Sequence, residues 1–599
     1  MKNRERIALL APLVLLPLLL SAARAGAADP WSPKPREAVV LSPDLAPEAK
    51  AGGGELKAWV FFTDKAMRDE TEFRIACSRL AARLDPRGMY RRQKMGHGDP
   101  VAHHDLPVHQ AYVERVIELG AKKRAVSRYL NAVSVAAPLP VLRAIADLPI
   151  VRSIEPVRVF SRREISTDRP PPFPAAPTRR YTLDYGASLG QLEMMQVPAL
   201  HDEGHSGGGI RVCLLDTGFK RTHESLQSLY LIAERDFIND DDDTGEEPGD
   251  PPGQFSHGTK ILSLIAGYRP GELIGPAYGA EYLLAKTEDT SQEEPIEEDW
   301  WVEGIEWADS MGADIAATSL GYSDWYTYED MDGNTATTTI AADLAAWNGL
   351  LVCTSAGNEG DSDWRYVTAP ADADTIIATG AVWSDTTIAA FSSRGPTHDG
   401  RIKPELVAQG VYTYAADPFD DHAYVWCHGT SCSNPLLAGA ATIVLEANPF
   451  LNPHALIEVL KTTATQPDSP DTAMGWGLIQ AEDALNLATS VQNQRDLVVW
   501  GGKVPRAEKP LLLRAAPNPF NPTVSFSVSV KTATVLRVRV YDARGTLIDT
   551  LFNDTVPAGD HEVIWSGTDR DGNEAPSGVY FAQADGAGVR VTEKVSLVR

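Results

Sequence analysis

Three short segments carry the residue types of nucleophilic acyl transfer: Leu214-Leu215-Asp216-Thr217-Gly218, Ser256-His257-Gly258-Thr259 and Gly429-Thr430-Ser431. A serine hydroxyl becomes a good nucleophile when a base takes its proton, and an imidazole does this when a carboxylate fixes its tautomer. Ser431 is therefore the candidate nucleophile, His257 the general base and then acid, and Asp216 the orienting carboxylate. Asn358, in Ser355-Ala356-Gly357-Asn358, offers a side-chain amide to the developing oxyanion. The order Asp, His, Ser and the absence of a G-x-S-x-G elbow at Ser431 set this triad apart from esterases and lipases.

Such groups must be held at the ends of elements, and the surrounding sequence supplies those elements. Apolar runs at Ile210–Leu215, Tyr282–Ala285 and Leu350–Cys353 read as buried strands. Helical patterns at Lys260–Gly267 and Ile340–Trp347 lie between them. Buried strands alternating with helices predict an α/β fold with a doubly wound, mostly parallel sheet over residues 181–490. Functional loops leave the carboxyl ends of the strands in such sheets, and Asp216 directly follows one. Ser431 precedes an apolar helical stretch, Leu436–Leu445, with Pro435 in its first turn. A nucleophile at a helix start sits near the positive end of the helix dipole.

The remainder of the 599 residues divides by composition. Lys2, Arg4 and Arg6 precede an apolar run, Ile7–Leu20, and an Ala25-Gly26-Ala27 cleavage zone, so residues 1–27 read as a signal peptide. The run is shorter than the roughly 20 residues of a membrane span and contains Pro12 and Pro17. Residues 28–165 follow, with a folded α+β core over about 56–160: strands at Leu56–Phe62, Asn131–Val135 and Val151–Phe160, and a helix at Pro140–Leu148. The linker 166–180 and its approach hold Arg162-Arg163, Pro170-Pro171-Pro172 and Arg179-Arg180, an exposed and cleavable stretch. A second linker spans 491–514. Residues 515–599 alternate in period two with turns at Asp542–Gly545 and Asp569–Asn573, which predicts a small antiparallel β-sandwich.

Charge is unevenly spread. Residues 1–180 carry 30 Lys and Arg against 19 Asp and Glu, a net +11, while residues 181–599 carry 25 against 62, a net −37. An acidic body repels phosphates and argues against nucleic acid as a partner. It also makes the basic N-terminal unit a fitting intramolecular partner.

Residues 181–490 resemble the subtilases, subtilisin-like serine endopeptidases. The Asp216, His257 and Ser431 segments match that family's motifs and Asn358 its oxyanion asparagine. Phe391–Pro396, Lys403–Ala408 and Gly475–Leu485 match further landmarks. The resemblance implies that Ser319, Leu320 and Gly321 bind the substrate backbone. It also implies that residues 56–160 form an inhibitory propeptide, matching best over Leu142–Val157. Residues 515–599 are similar to the C-terminal sorting or immunoglobulin-like modules of exported bacterial proteins, of the flagellar-hook-capping or type IX secretion type, through Ala516–Pro522, Gly578–Phe581 and Lys594–Arg599. The expected protein is thus a zymogen acting on protein or peptide substrates. It is exported to the medium or cell surface of a Gram-negative-type bacterium, where the C-terminal module contacts that surface or the secretion machinery. The competing reading is an inactive subtilase-fold surface or binding protein, against which the retention of all four site residues weighs. The chain departs from the family pattern at Cys432, Ser433 and Asn434, at Lys260 and at Gln409.

The chemistry needs no cofactor. The run Asp240–Asp243 with Glu246, Glu247 and Asp250 invites a structural calcium ion, but it lacks a recognised ligand spacing and reads as a solvated acidic loop. No metal ligands are assigned. Of five cysteines, Cys213 and Cys353 read as buried, and Cys427 and Cys432 as either paired or free. Trp300 and Trp301 read as core residues of a helix, and His97, His103, His104 and His109 as surface histidines.

Overall fold

The computed structural model describes residues 40–41, 55–157, 181–290, 297–323, 326–494 and, with short gaps, 511–598. The signal peptide, the Pro170–Pro172 linker with its dibasic pairs and most of the linker 491–514 lie outside the described residues. The chain divides into two compact units, one within residues 1–498 and one within 499–599.

The first unit begins with a five-stranded sheet ordered β1-β5-β2-β4-β3, from β1 (Val40–Leu41), β2 (Leu56–Phe62), β3 (Lys122–Ser127), β4 (Ala132–Ala137) and β5 (Val151–Pro156). Helices α1 (Glu70–Ala81), α2 (Pro86–Lys94), α3 (Gln110–Glu118) and α4 (Leu139–Ala146) accompany it. Strand β2 shows why: Ala58, Val60 and Phe62 pack with Val116, Leu142 and Ile145 in this sheet's own core. Trp59 and Phe61 point the other way and join a core with Trp301, Val302 and Ile305 of the main body. Period-two alternation thus buries both faces of one strand, in two different cores.

The main body is a seven-stranded parallel sheet. It is built from β6 (Arg211–Asp216), β7 (Tyr230–Asp236), β10 (Glu281–Lys286), β11 (Ile315–Thr318), β12 (Leu351–Ser355), β13 (Ile377–Val382) and β14 (Leu406–Gln409), in the order β14-β13-β12-β11-β6-β10-β7. Two hairpins complete it: β8 (Tyr268–Arg269) with β9 (Leu273–Ile274), and β15 (Thr413–Ala416) with β16 (Tyr424–Cys427). Short helices α5 (Leu189–Glu193) and α6 (Val197–Asp202) lead in. The longer ones are α7 (Ser256–Ala266), α8 (Glu297–Ser310), α9 (Thr337–Trp347), α10 (Thr430–Ala447), α11 (Pro453–Thr463) and α12 (Ala481–Gln494). On β6, Val212 and Leu214 pack with Leu262 and Ile265 of α7 and Leu436 and Ile443 of α10. Cys213 and Leu215 pack with α8 and α9 on the opposite face. This two-sided burial is why the strand reads as a continuous apolar run, and the fold is the expected doubly wound α/β sheet.

The second unit pairs a sheet of β17 (Leu511–Ala516), β18 (Val524–Val530) and β21 (Gly559–Trp565) with a sheet of β20 (Leu547–Val556), β19 (Thr534–Asp542), β22 (Gly578–Gly586) and β23 (Val589–Leu597). Phe526, Val538, Trp565 and Tyr580 form its core, in the antiparallel architecture expected.

Candidate active site

Strand β6 ends on Asp216, whose side chain is fully buried. Its Oδ1 accepts from the Thr217 backbone N–H at 2.8 Å and lies 2.6 Å from Nδ1 of His257. His257 is the second residue of α7 and is itself buried. A Cβ on Gly258 would stand 2.1 Å from the Gly218 carbonyl oxygen and 3.2 Å from Cβ of Asp216, so only glycine lets the helix come this close to the strand end. Threonine hydroxyls stitch the two segments together. The Gly258 N–H donates to Thr217 Oγ1 at 3.2 Å, and the Lys220 N–H to Thr259 Oγ1 at 2.8 Å. With its Nδ1–H committed to Asp216, the imidazole presents Nε2 as the proton acceptor.

Ser431 lies in the first turn of α10 and not ahead of it as expected, because the helix starts at Thr430. Pro435 accordingly falls inside the helix, where it has no N–H to give to the carbonyl four residues earlier. That carbonyl belongs to Ser431. The Ser319 hydroxyl takes the vacant place, donating to Ser431 O at 3.1 Å. Ser319, expected only on the substrate-binding edge, therefore also holds the backbone of the candidate nucleophile.

Asn358 follows β12, beside β11 in the sheet. Its Oδ1 accepts from both the backbone N–H of Thr430 at 2.9 Å and the Thr430 hydroxyl at 3.0 Å, which orients the amide. Gly429 sits at φ +135°, a conformation open to glycine. A Cβ there would lie 2.8 Å from Ser431 Oγ and 3.7 Å from Asn358 Nδ2, so hydroxyl and amide nitrogen border the same small space. Ser319, Leu320 and Gly321 leave the carboxyl end of β11 along the same edge, and Tyr322 just beyond exchanges backbone hydrogen bonds with Ala369 at 2.7 and 3.0 Å. Asp216 with His257, and Ser431 with Asn358 and Ser319, thus gather at the carboxyl ends of β6, β11 and β12 and the starts of α7 and α10.

Two features near the nucleophile carry no signal in the local pattern. Asn434, fully buried, donates to the carbonyls of Thr318 at 2.9 Å and Cys353 at 3.2 Å, and accepts from Thr379 at 3.1 Å. It fastens α10 to β11, β12 and β13. Cys427 and Cys432, left open by the sequence, form a disulfide across the Ser431 turn.

The acidic loop resolves differently from its sequence. Asp240 and Asp242 are exposed and pair with Arg235, while Asp241 joins Asp236 and Glu247 in a cluster of carboxylates. The buried Lys286 ammonium reaches Asp236 Oδ2 at 2.7 Å and Asp250 Oδ2 at 2.6 Å. The two carboxylates nearest the core thus share a cation, while ligand oxygens of Asp236, Asp241 and Glu247 lie within 4.8 Å of one another, a grouping that could hold a metal ion.

The N-terminal sheet closes over α8. The Ser127 hydroxyl and the Tyr129 N–H donate to Glu306 Oε1 at 2.5 and 3.1 Å. Arg91, Arg92, Arg128 and the Tyr129 hydroxyl converge on Asp309, the last three at 2.6, 3.0 and 2.8 Å. Burial alone would raise the Asp309 carboxyl, but the guanidinium groups of Arg92, Arg91 and Arg128 hold it at about 2. The charge complementarity anticipated between basic unit and acidic body is concentrated here. Two histidines expected at the surface belong to the same interface. His97 stacks on Trp347 at 4.0 Å between centroids, and His104 Nε2 lies 3.0 Å from Asn348 Oδ1. Burial lowers the pKa of both. Trp301 is a core residue as expected, with its Nε1–H donating to Thr318 Oγ1 at 3.0 Å.

An Asp–His pair and a serine in the first turn of a helix, on the carboxyl edge of a doubly wound sheet, are the parts of a serine hydrolase. A family model described as "Subtilase family" matches residues 207–477, one described as "Peptidase S8 propeptide domain, Bacteroidota" matches 57–170, and one described as "FlgD Ig-like domain" matches 518–588. Subtilisin E of Bacillus subtilis (strain 168) is 30% identical over 295 residues, covering 49% of this chain and 70% of that one. Subtilisin of Bacillus pumilus is 30% identical over 295 residues, 49% of this chain and 97% of that one. Fervidolysin from Fervidobacterium pennivorans shares the fold with a TM-score of 0.51 at 20% identity, over 88% of this chain and 70% of that one. The chain belongs to the subtilase family. It is a serine-type endopeptidase that carries its propeptide, and so is made as a zymogen.

Proposed function

We propose that the protein is an exported endopeptidase that cleaves proteins or peptides through an acyl-enzyme on Ser431. His257 takes the hydroxyl proton at Nε2 and returns it to the leaving amine. Asp216 holds the imidazole tautomer and stabilises the imidazolium. The oxyanion is met by the Asn358 amide and by backbone N–H at the positive start of α10. The carrying observation is the Nδ1–Oδ1 distance of 2.6 Å between His257 and Asp216, with Asn358 clamped by Thr430 next to Ser431. Substrate backbone runs along Ser319, Leu320 and Gly321.

The proposed organisation is a signal peptide over 1–27, a propeptide region over 28–165, a linker over 166–180, the catalytic body over 181–490, a second linker over 491–514 and a sorting or attachment module over 515–599. The n-region, h-region and Ala25-Gly26-Ala27 support export, and the likeness to exported modules supports surface sorting. Among the described residues no helix is long and apolar enough to cross a membrane. Cleavage of an unfolded protein substrate by the mature wild type, and its loss in Ser431→Ala with processing blocked between residues 160 and 185, is the expected result. Undiminished cleavage by Ser431→Ala would remove this reading.

A further inference from the structure

The nucleophile turn is covalently closed. Cys427 ends β16 and Cys432 is the third residue of α10, so their disulfide encloses His428, Gly429, Thr430 and Ser431. Their Cα atoms are 6.5 Å apart, and both side chains are buried. Inside this ring lie the Ser431 hydroxyl, the Thr430 groups that orient Asn358, and Gly429 at φ +135°. Gly429 is the conformationally freest link in the turn, and a short covalent ring removes much of that freedom.

We propose that the Cys427–Cys432 disulfide is a positioning element for Ser431 and, through Thr430, for Asn358, so that the peptidase reaches full turnover only in the oxidised state. The proposal rests on the assignment of Ser431 as nucleophile. Reduction by a dithiol transfers two electrons to the disulfide: two Cys thiols form and the dithiol closes to its own disulfide. The released turn keeps its outer anchors. Asn434 still bonds to Thr318, Cys353 and Thr379, Ser319 to Ser431 O, and the Gly429 N–H to Gly410 O at 2.9 Å. Helix α10 therefore stays in place while its first turn loosens. A misplacement of about 1 Å costs up to about 10² in rate. The proposed substrate backbone contacts, Ser319–Gly321 just beyond β11, lie outside the ring, so the loss falls on kcat and not on KM.

The test follows peptide hydrolysis by the mature wild type, untreated, reduced with dithiothreitol, and re-oxidised. Thiols are counted by alkylation and mass spectrometry in each state. Cys213 and Cys353 are free and serve as the baseline, Cys77 having left with the propeptide. The expected result is a kcat about tenfold lower or more after reduction, KM within about threefold, and recovery on re-oxidation. Cys427→Ser/Cys432→Ser should show the lowered kcat at the outset and no response to the dithiol. A fully reduced wild type that keeps its kcat overturns the proposal, as does alkylation of Cys427 or Cys432 in native mature protein before any reductant. Absence of hydrolysis in the oxidised wild type would instead remove the peptidase reading, which separates the two failures.

Discussion

The bond between Ser319 and the Ser431 carbonyl makes a quantitative prediction. Pro435 denies that carbonyl its helical partner, and the Ser319 hydroxyl replaces it at 3.1 Å in a site where both residues are buried. Ser319→Ala leaves a buried acceptor unpaired, which costs about 1–3 kcal/mol. In a Pro435→Ala background the residue at 435 regains an N–H for the carbonyl four residues back, so removing the Ser319 hydroxyl costs only about 0.5 kcal/mol. The double-mutant cycle should therefore show a coupling of about 1–2 kcal/mol between residues 116 positions apart. The assay is urea unfolding of the full chain in a Ser431→Ala background, which keeps the carbonyl and removes self-cleavage. Equal costs for Ser319→Ala in both backgrounds, within about 0.5 kcal/mol, would refute the reasoning.

Loss of the candidate oxyanion donor in Asn358→Ala should lower kcat by about 10²–10³, the measured cost for such a donor in a serine peptidase, with KM nearly unchanged in steady-state peptide hydrolysis. Burial under the N-terminal sheet pushes the Glu303 carboxyl up to about 7, with the Val126 N–H donating to it at 3.1 Å. A raised carboxyl favours the protonated folded state, so the stability it allows is present below about 4.5 and is lost as pH rises through about 7. In the Ser431→Ala full chain, Glu303→Gln should flatten the decline in unfolding free energy over that window by up to about 3 kcal/mol, read from urea unfolding at several pH values. Lys286→Met strips the shared cation from Asp236 and Asp250 and should cost about 3–5 kcal/mol in the same assay, with part regained in Lys286→Met/Asp236→Asn.

What the sequence displayed was whatever depends on near neighbours. Strand β6 announces itself because both faces are buried, giving an unbroken apolar run that stops at Asp216. Strand β2 shows its bounds, Leu56 and Phe62, for the same reason. Helix α10 starts earlier than its apolar stretch implies, since Thr-Ser-Cys-Ser-Asn-Pro reads as a polar loop, and its hydrogen bonds are completed by residues on other strands. Ser319 is 112 positions from Ser431 and Asn434 is 116 from Thr318, so neither partner is visible locally. His97 and His104 read as exposed because Trp347 and Asn348, which cover them, stand more than 240 residues away. Strand β20 leaves no clear pattern in the sequence because Asp549, Asn553 and Asp554 break its alternation. The candidate Asp, His, Ser and Asn stand out in the sequence because glycine and threonine mark tight approaches beside them, as Gly258 against the Gly218 carbonyl illustrates.

The central claim is that Ser431 is the hydroxyl activated by His257 and Asp216. An organophosphonate serine probe applied to the mature protein, followed by peptide mass spectrometry, tests it at the atom concerned. The expected result is one phosphonyl adduct, on Ser431, that disappears in His257→Ala and Asp216→Ala while the proteins remain folded. A folded, mature wild type that takes no label, or takes it at another serine, would contradict the account.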